Sequence, residues 1–198
     1  MITTNNYIKL RDQFWDVASW AVWDPQTSNA PKSNVGSLKC FNDPNLLDKL
    51  NTGFVFVGLN GSGKHEAYLE HSTPWYNFHS SSPRGNDFKL RYALSGTSLW
   101  GSYITDIIKY YPEVDSKKVV KYVRNNPEVL QNNINIFKEE LKLLGDKPII
   151  VALGTETYKF IRKYLDNEFI VIKVPHYSHQ ISKENYRKEI LSALANYL

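Results

Sequence analysis

Four short apolar segments separated by longer amphipathic ones constrain the fold of this chain more than any other feature. They lie at 53–58, within 99–108, at 148–153 and at 169–174, and they are rich in β-branched or aromatic residues. Runs of this length and composition are typical of strands buried on both faces. Helical patterns separate most of them, and that alternation predicts a parallel sheet covered by helices on both faces. We therefore expect an α/β fold with three layers, α/β/α, around a mostly parallel four-stranded sheet.

The longest predicted helix also has the clearest end signals. Asn126 and Pro127 mark its start, because asparagine caps a helix well and proline suits the first helical position. Gly145 marks its end. The other helices are expected over 7–23, near 45–50, and over 88–94, 155–165 and 183–197.

The chain reads as one domain of 198 residues, with an N-terminal helix and covering loop over 1–52 and the core over 53–198. Hydrophobic residues make up 42% and charged residues 22%, which excludes general disorder. No apolar run is long enough to span a membrane, and no secretory signal opens the chain. The single cysteine, Cys40, excludes an internal disulfide. A cytoplasmic monomer is the expectation, and the net charge of +4 is compatible with a nucleic-acid partner.

A glycine-rich segment follows the first strand and satisfies the phosphate-loop pattern G-x-x-x-x-G-K over 58–64. Three observations count against nucleotide hydrolysis. His65 stands where a hydroxyl should bind Mg²⁺, Pro74 soon interrupts the following segment, and the strand at 148–153 ends without a metal-binding aspartate. A phosphate-binding loop and a structural glycine turn both remain open interpretations.

Polar side chains stand where the predicted strands end. Asn60 follows the first strand, Asp106 lies near the end of the second, and His176 and Ser178 follow the last. In open parallel sheets the loops at this edge form the site. Phe78, in the long Gly-, Ser-, His- and Pro-rich stretch at 61–87, adds an aromatic group. These side chains suit a planar heterocycle and include neither an acylating nucleophile nor a metal cluster, so they favour an enzyme that binds a flipped base.

Five short motifs over about 53–198 together resemble the uracil-DNA glycosylase superfamily, most nearly its mismatch-specific and thymine-DNA branch. In chain order they are Gly58-Leu59-Asn60, Phe78 ahead of 86–88, Thr105-Asp106, the stretch 151–158, and His176-Tyr177-Ser178. The resemblance implies that the chain excises uracil or a related damaged base from DNA, without a metal or another cofactor.

The resemblance also implies roles for individual residues. Asn60 would hold the attacking water, and His176 would donate a hydrogen bond to the departing base. The substrate-binding residues would be Gly58, Leu59, Phe78, Asp106 and Ser178. DNA contacts would come from Ile181 as a wedge and from basic side chains on phosphates, with Lys64, Arg84, Lys89, Arg91 and Lys109 as the candidates.

Two positions depart from the family pattern. Gly61 and Ser62 stand where the branch has Pro-Gly, and Tyr177 stands where its second motif has proline. The sequence therefore leaves a second interpretation open, a member of the same fold that binds nucleic acid with altered or lost catalysis. A nucleotide-binding phosphate-loop protein is the third.

Overall fold

The computed structural model describes residues 1–61, 73–145 and 147–198. In these residues the strands are β1 (Ala18–Trp20), β2 (Asn51–Asn60), β3 (Ser102–Ile108), β4 (Ile149–Leu153) and β5 (Val171–Val174). The helices are α1 (Thr4–Phe14), α2 (Leu46–Lys49), α3 (Asp87–Leu94), α4 (Ser116–Asn125), α5 (Pro127–Leu144), α6 (Thr155–Leu165) and α7 (Lys183–Leu194). A single 3₁₀ turn, Lys39–Asn42, lies in the predicted covering loop.

The strands form one sheet in the order β1-β3-β2-β4-β5. The four predicted strands are its parallel part, which confirms the fold class. β1 is a fifth strand, antiparallel to β3, so the expected count of four is one too low. In the β2–β3 register, Gly58 lies opposite Asp106.

The prediction of a helix over 7–23 is wrong in its second half. Helix α1 begins after Thr3, whose hydroxyl accepts a hydrogen bond from the Asn6 amide at 3.2 Å, and it ends at Phe14. Residues 18–20 then pair with the outer edge of β3, and the Trp20 ring packs edge-on against Tyr103 at 5.0 Å. Tertiary pairing therefore overrides the helical spacing of these apolar residues.

Two apolar layers sandwich the sheet. Along β2, Val55 and Val57 belong to one hydrophobic cluster, and Phe54 and Phe56 belong to the other. Helices α1, α4, α5 and α6 contribute to the first cluster, and α3 and α7 to the second. This alternation is the expected result of a strand buried on both faces. Among the described residues, no helix is long and apolar enough to cross a membrane.

A fully buried polar network ties β3 to α5. The Lys109 ammonium lies 2.7 Å from Oε2 of Glu140 and donates to Oγ1 of Thr105 and to the Asp106 backbone oxygen, both at 2.8 Å. Tyr103 and Thr105 donate to Oε1 of Glu140 at 2.9 and 2.8 Å. The network therefore fixes the backbone of β3 at Asp106.

Candidate active site at the carboxyl edge of the sheet

Gly58, Phe78 and Asp106 meet at one point on the carboxyl edge of the sheet. A Cβ atom on Gly58 would overlap Oδ1 of Asp106 and would lie 3.7 Å from Cε1 of Phe78. Glycine at position 58 is therefore required by the close approach of the carboxyl group. The structure thus brings together three of the residues that the sequence predicts to bind substrate.

The Asp106 carboxyl group is buried, with 4% of the residue exposed. Oδ2 accepts a hydrogen bond from the Asn77 amide nitrogen at 3.2 Å, and that nitrogen also donates to the Val17 carbonyl at 3.0 Å. Burial raises the pKa of Asp106 to about 7, although the Asn77 hydrogen bond and the Lys109 charge lower it. The charges of Glu140 and Asp87 add to the upward shift.

Phe78 is held in an uncommon backbone conformation, with φ of 63°. Its amide donates to the Asn77 side chain at 3.1 Å, and its carbonyl accepts from the Trp23 indole at 3.3 Å. Non-glycine residues rarely adopt positive φ, and those that do are often fixed by function. The ring lies edge-on to Tyr177 with centroids 6.5 Å apart.

Asn60 ends β2 and fastens it to the segment after β3. Its amide nitrogen donates to the backbone oxygens of Gly61 at 2.9 Å, Tyr111 at 3.2 Å and Glu113 at 2.9 Å. Those bonds fix the orientation of the side chain. Within the described ranges, no donor occupies its Oδ1, so that oxygen is the end of the amide able to hold a water molecule.

His176 follows β5 and is held by its own turn. The Ser178 backbone amide donates to Nδ1 at 3.2 Å, and the Ser178 hydroxyl lies 2.8 Å from the same atom. Nδ1 is therefore an acceptor, and the proton of the neutral ring belongs on Nε2. Burial lowers the pKa of His176 to about 4, so the ring is a neutral donor near pH 7.

Tyr177 connects the histidine to the rest of the site. Its ring stacks on His176 at 4.2 Å and packs edge-on against Phe78. This residue and Asn77 hold the site together. The sequence marks Tyr177 only as a departure from the second motif, and it does not single out Asn77. Asn77 stands next to Phe78 in an aromatic stretch, which was the one available signal.

The remaining predicted site residues differ in exposure. Leu59 is partly buried against the first hydrophobic cluster, and Ile181 is partly buried against the second. Ser178 and Arg84 are exposed. Lys64, like Ser62, lies outside the described residues.

Two of the basic residues proposed for phosphate contacts are unavailable, so that prediction is wrong for them. Lys109 is fully buried in its pair with Glu140. Arg91 is 7% exposed, and its guanidinium donates to the Pro31 and Ser33 carbonyls at 2.8 Å each. It therefore anchors the covering loop to α3. Lys89 donates to the His179 carbonyl at 2.9 Å and so fastens the loop after β5.

The mostly parallel sheet, with polar side chains and a buried aromatic ring gathered at its carboxyl edge, defines an α/β protein. In the described ranges, no cluster of three His, Cys, Asp or Glu side chains could hold a metal. The family model of the uracil DNA glycosylase superfamily matches residues 44–195, which is most of the chain, and the chain therefore belongs to that superfamily. A search of curated proteins found no match.

Proposed function

We propose that this protein is a monofunctional DNA glycosylase that hydrolyses the N-glycosidic bond of uracil or a related damaged base in DNA. The observation that carries the proposal is the convergence of Phe78 and Asp106 on Gly58, with Asn60 and His176 at the carboxyl ends of β2 and β5. Family membership supports the reaction class, and the motif pattern favours the mismatch-specific and thymine-DNA branch. We further propose that it acts as a cytoplasmic monomer without a metal.

The burial of these side chains suggests how a flipped nucleotide would sit. Phe78 and Asp106 are buried, whereas Asn60 and His176 are partly exposed. The sugar stays attached to DNA and must remain near the surface, while the base enters. Phe78 would therefore stack the base, and Asn60 and His176 would flank the glycosidic bond.

The chemistry assigned to the two flanking residues follows from their hydrogen bonds. Oδ1 of Asn60 would hold the attacking water, but an amide cannot take its proton, so the rate would be lower than with a carboxylate. His176 would donate from Nε2 to the O2 atom of the pyrimidine, where negative charge develops as the bond breaks. A neutral, pre-oriented donor suits this role because it needs no rearrangement during the reaction.

A cleavage assay tests the proposal. Oligonucleotides carrying single uracil, thymine-mismatch or other damaged bases should yield an abasic product with the wild-type protein, and the yield should persist in EDTA. His176→Ala is expected to lower the single-turnover rate by about 10²–10³-fold, the loss typical for one stabilising donor. No abasic product from any of these oligonucleotides would contradict the proposal.

A second candidate is a member that binds DNA without excising a base. It is favoured by the Asn60 amide group, which makes three backbone hydrogen bonds and cannot accept a proton. Salt-dependent binding to DNA with no abasic product would select this candidate.

A further inference from the structure

Asp106 is a buried ionisable group to which the proposed hydrolysis assigns no proton-transfer role. It lies beside Phe78, on which the base would stack, and deeper than Asn60 and His176. A side chain in this position meets the base and not the sugar. Its partner for recognition would therefore be the base edge remote from the glycosidic bond.

We propose that Asp106 binds the flipped base as a neutral carboxylic acid, donating its Oδ1 hydroxyl to a carbonyl oxygen of a keto pyrimidine, so that base recognition requires a proton on the enzyme. This inference rests on the proposed function, because it assumes that the site holds a base.

The hydrogen bond from Asn77 indicates which oxygen carries the proton. The Asn77 amide donates to Oδ2, which must therefore be an acceptor. Oδ1 is the oxygen that faces Gly58, where a side chain is lacking. Oδ1 itself fills the space that the glycine leaves beside the Phe78 ring, so a proton on Oδ1 would be the donor offered to a base stacked on that ring.

The charged groups around Asp106 are consistent with a neutral form. Lys109, directly after β3, is the cation that lowers the pKa of Asp106, but its ammonium pairs with Glu140 on α5 and contacts Asp106 at the backbone oxygen, not at the carboxyl group. Glu140 and Asp87, on α5 and α3, both disfavour a further negative charge. Burial is the largest cause and raises the pKa of Asp106 to about 7, and the opposing effects of Asn77 and Lys109 are smaller.

Recognition should therefore weaken as pH rises. Once Asp106 ionises, its oxygens are acceptors only and repel a carbonyl group. With the pKa near 7, the protonated fraction falls by about 30-fold between pH 6 and pH 8.5, and this sets the largest expected loss of preference for the base.

The test compares binding of two oligonucleotides at pH 6, 7 and 8.5. One carries a single 2′-fluoro-deoxyuridine, whose glycosidic bond resists hydrolysis, and the other has the same sequence without uracil. We divide the affinity for the first oligonucleotide by the affinity for the second. The pH dependence of phosphate binding is common to both and therefore cancels in this ratio. For the wild type we expect the ratio to fall by up to about 30-fold from pH 6 to 8.5. Asp106→Asn keeps a donor at every pH and should give a constant ratio.

Asp48→Asn is the matched control. It makes the same change at an exposed position on α2, next to the opposite end of β2, and should behave like the wild type. A constant wild-type ratio overturns the inference, as does an unchanged pH dependence in Asp106→Asn. The wild-type profile decides alone if that variant does not fold.

A parallel excision assay distinguishes this inference from the proposed function. If the wild type excises the base and its affinity ratio is constant between pH 6 and 8.5, the glycosylase proposal stands and the proposed role of Asp106 is wrong. A ratio that falls with pH, without excision at any pH, supports the role of Asp106 in base binding and contradicts the proposed hydrolysis. No preference for the uracil analogue at any pH overturns the inference.

Discussion

The amide group of Asn60 shows how one side chain combines a structural and a chemical role. Its nitrogen holds three backbone carbonyls, and its oxygen is left for water. Sequence reasoning predicts that Asp at this position would keep or raise activity, since a carboxylate can take the proton of water. The hydrogen bonds of the amide lead us to expect the opposite, because an acidic oxygen would replace the donor that faces the three carbonyls.

We expect Asn60→Ala to reduce the free energy of unfolding by about 1 kcal/mol, because its partly buried carbonyl partners would lose a donor. Asn60→Asp should cost more, because its oxygens repel the Tyr111 and Glu113 carbonyls, and its excision rate should fall below that of the wild type. Denaturant unfolding and single-turnover kinetics measure both effects. The same changes at exposed Asn132 should be nearly neutral. A fully stable and active Asn60→Asp would contradict this reading.

Among the elements, α5 and β3 depend on each other through the Lys109–Glu140 pair. Both side chains are fully buried, and each would be left as an isolated charge without its partner. Lys109→Met should therefore lower the free energy of unfolding by about 3–5 kcal/mol. The double variant Lys109→Met with Glu140→Leu should recover much of the loss. The comparison uses the denaturant midpoints of the wild type, Lys109→Met, Glu140→Leu and the double variant. A double variant less stable than both single variants would refute the proposed dependence of α5 and β3 on this pair.

The elements also show where sequence patterns succeed and fail. Helix α5 follows its predicted bounds, because its cap signals and apolar spacing are local properties of the chain. The strand β1 was mistaken for helix, because its conformation depends on a distant partner, β3. Helix α4 was missed, although Asp115 caps it by accepting from the Lys117 amide at 2.9 Å and Val119, Val120 and Val123 are buried.

The site was predictable to the extent that it follows from the ends of parallel strands. Gly58 and Asp106 meet because they are register partners on neighbouring parallel strands. The sequence predicts only that the carboxyl ends of such strands share one edge of the sheet. The sequence could not predict which basic side chains are exposed and which are buried. Lys109 and Arg91 have the same charge as surface residues, and only the packed structure shows that one pairs with Glu140 and the other binds carbonyl groups.

For the whole molecule, Asp106 links stability to pH. Its pKa rises from the ordinary 3.8 to about 7 on folding, so the folded state holds a proton that the unfolded chain has lost. The wild-type protein therefore loses free energy of unfolding as pH rises from about 4 to 7, because over this range only the folded state keeps the proton of Asp106. The free energy of unfolding of Asp106→Asn, relative to that of the wild type, should therefore increase by about 1.4 kcal/mol per pH unit between pH 4 and 7. The total increase should be up to about 4 kcal/mol.

Denaturant unfolding of the two proteins at pH 4.5, 6 and 8 measures this difference. The exposed Asp48→Asn variant should show no such trend. The prediction fails if the stability difference between Asp106→Asn and the wild type is the same at all three pH values.

The pairing of β1 with β3 means that the folding unit is larger than the region shared with the superfamily. The family match begins at residue 44, but residues 18–20 cover the outer edge of β3. A polypeptide starting at residue 44 would expose that edge, and unpaired edges recruit other chains. We expect such a truncated polypeptide to self-associate, as measured by light scattering, whereas the full chain stays dispersed. The N-terminal segment would then act as a cover that keeps the edge of β3 from pairing with other chains.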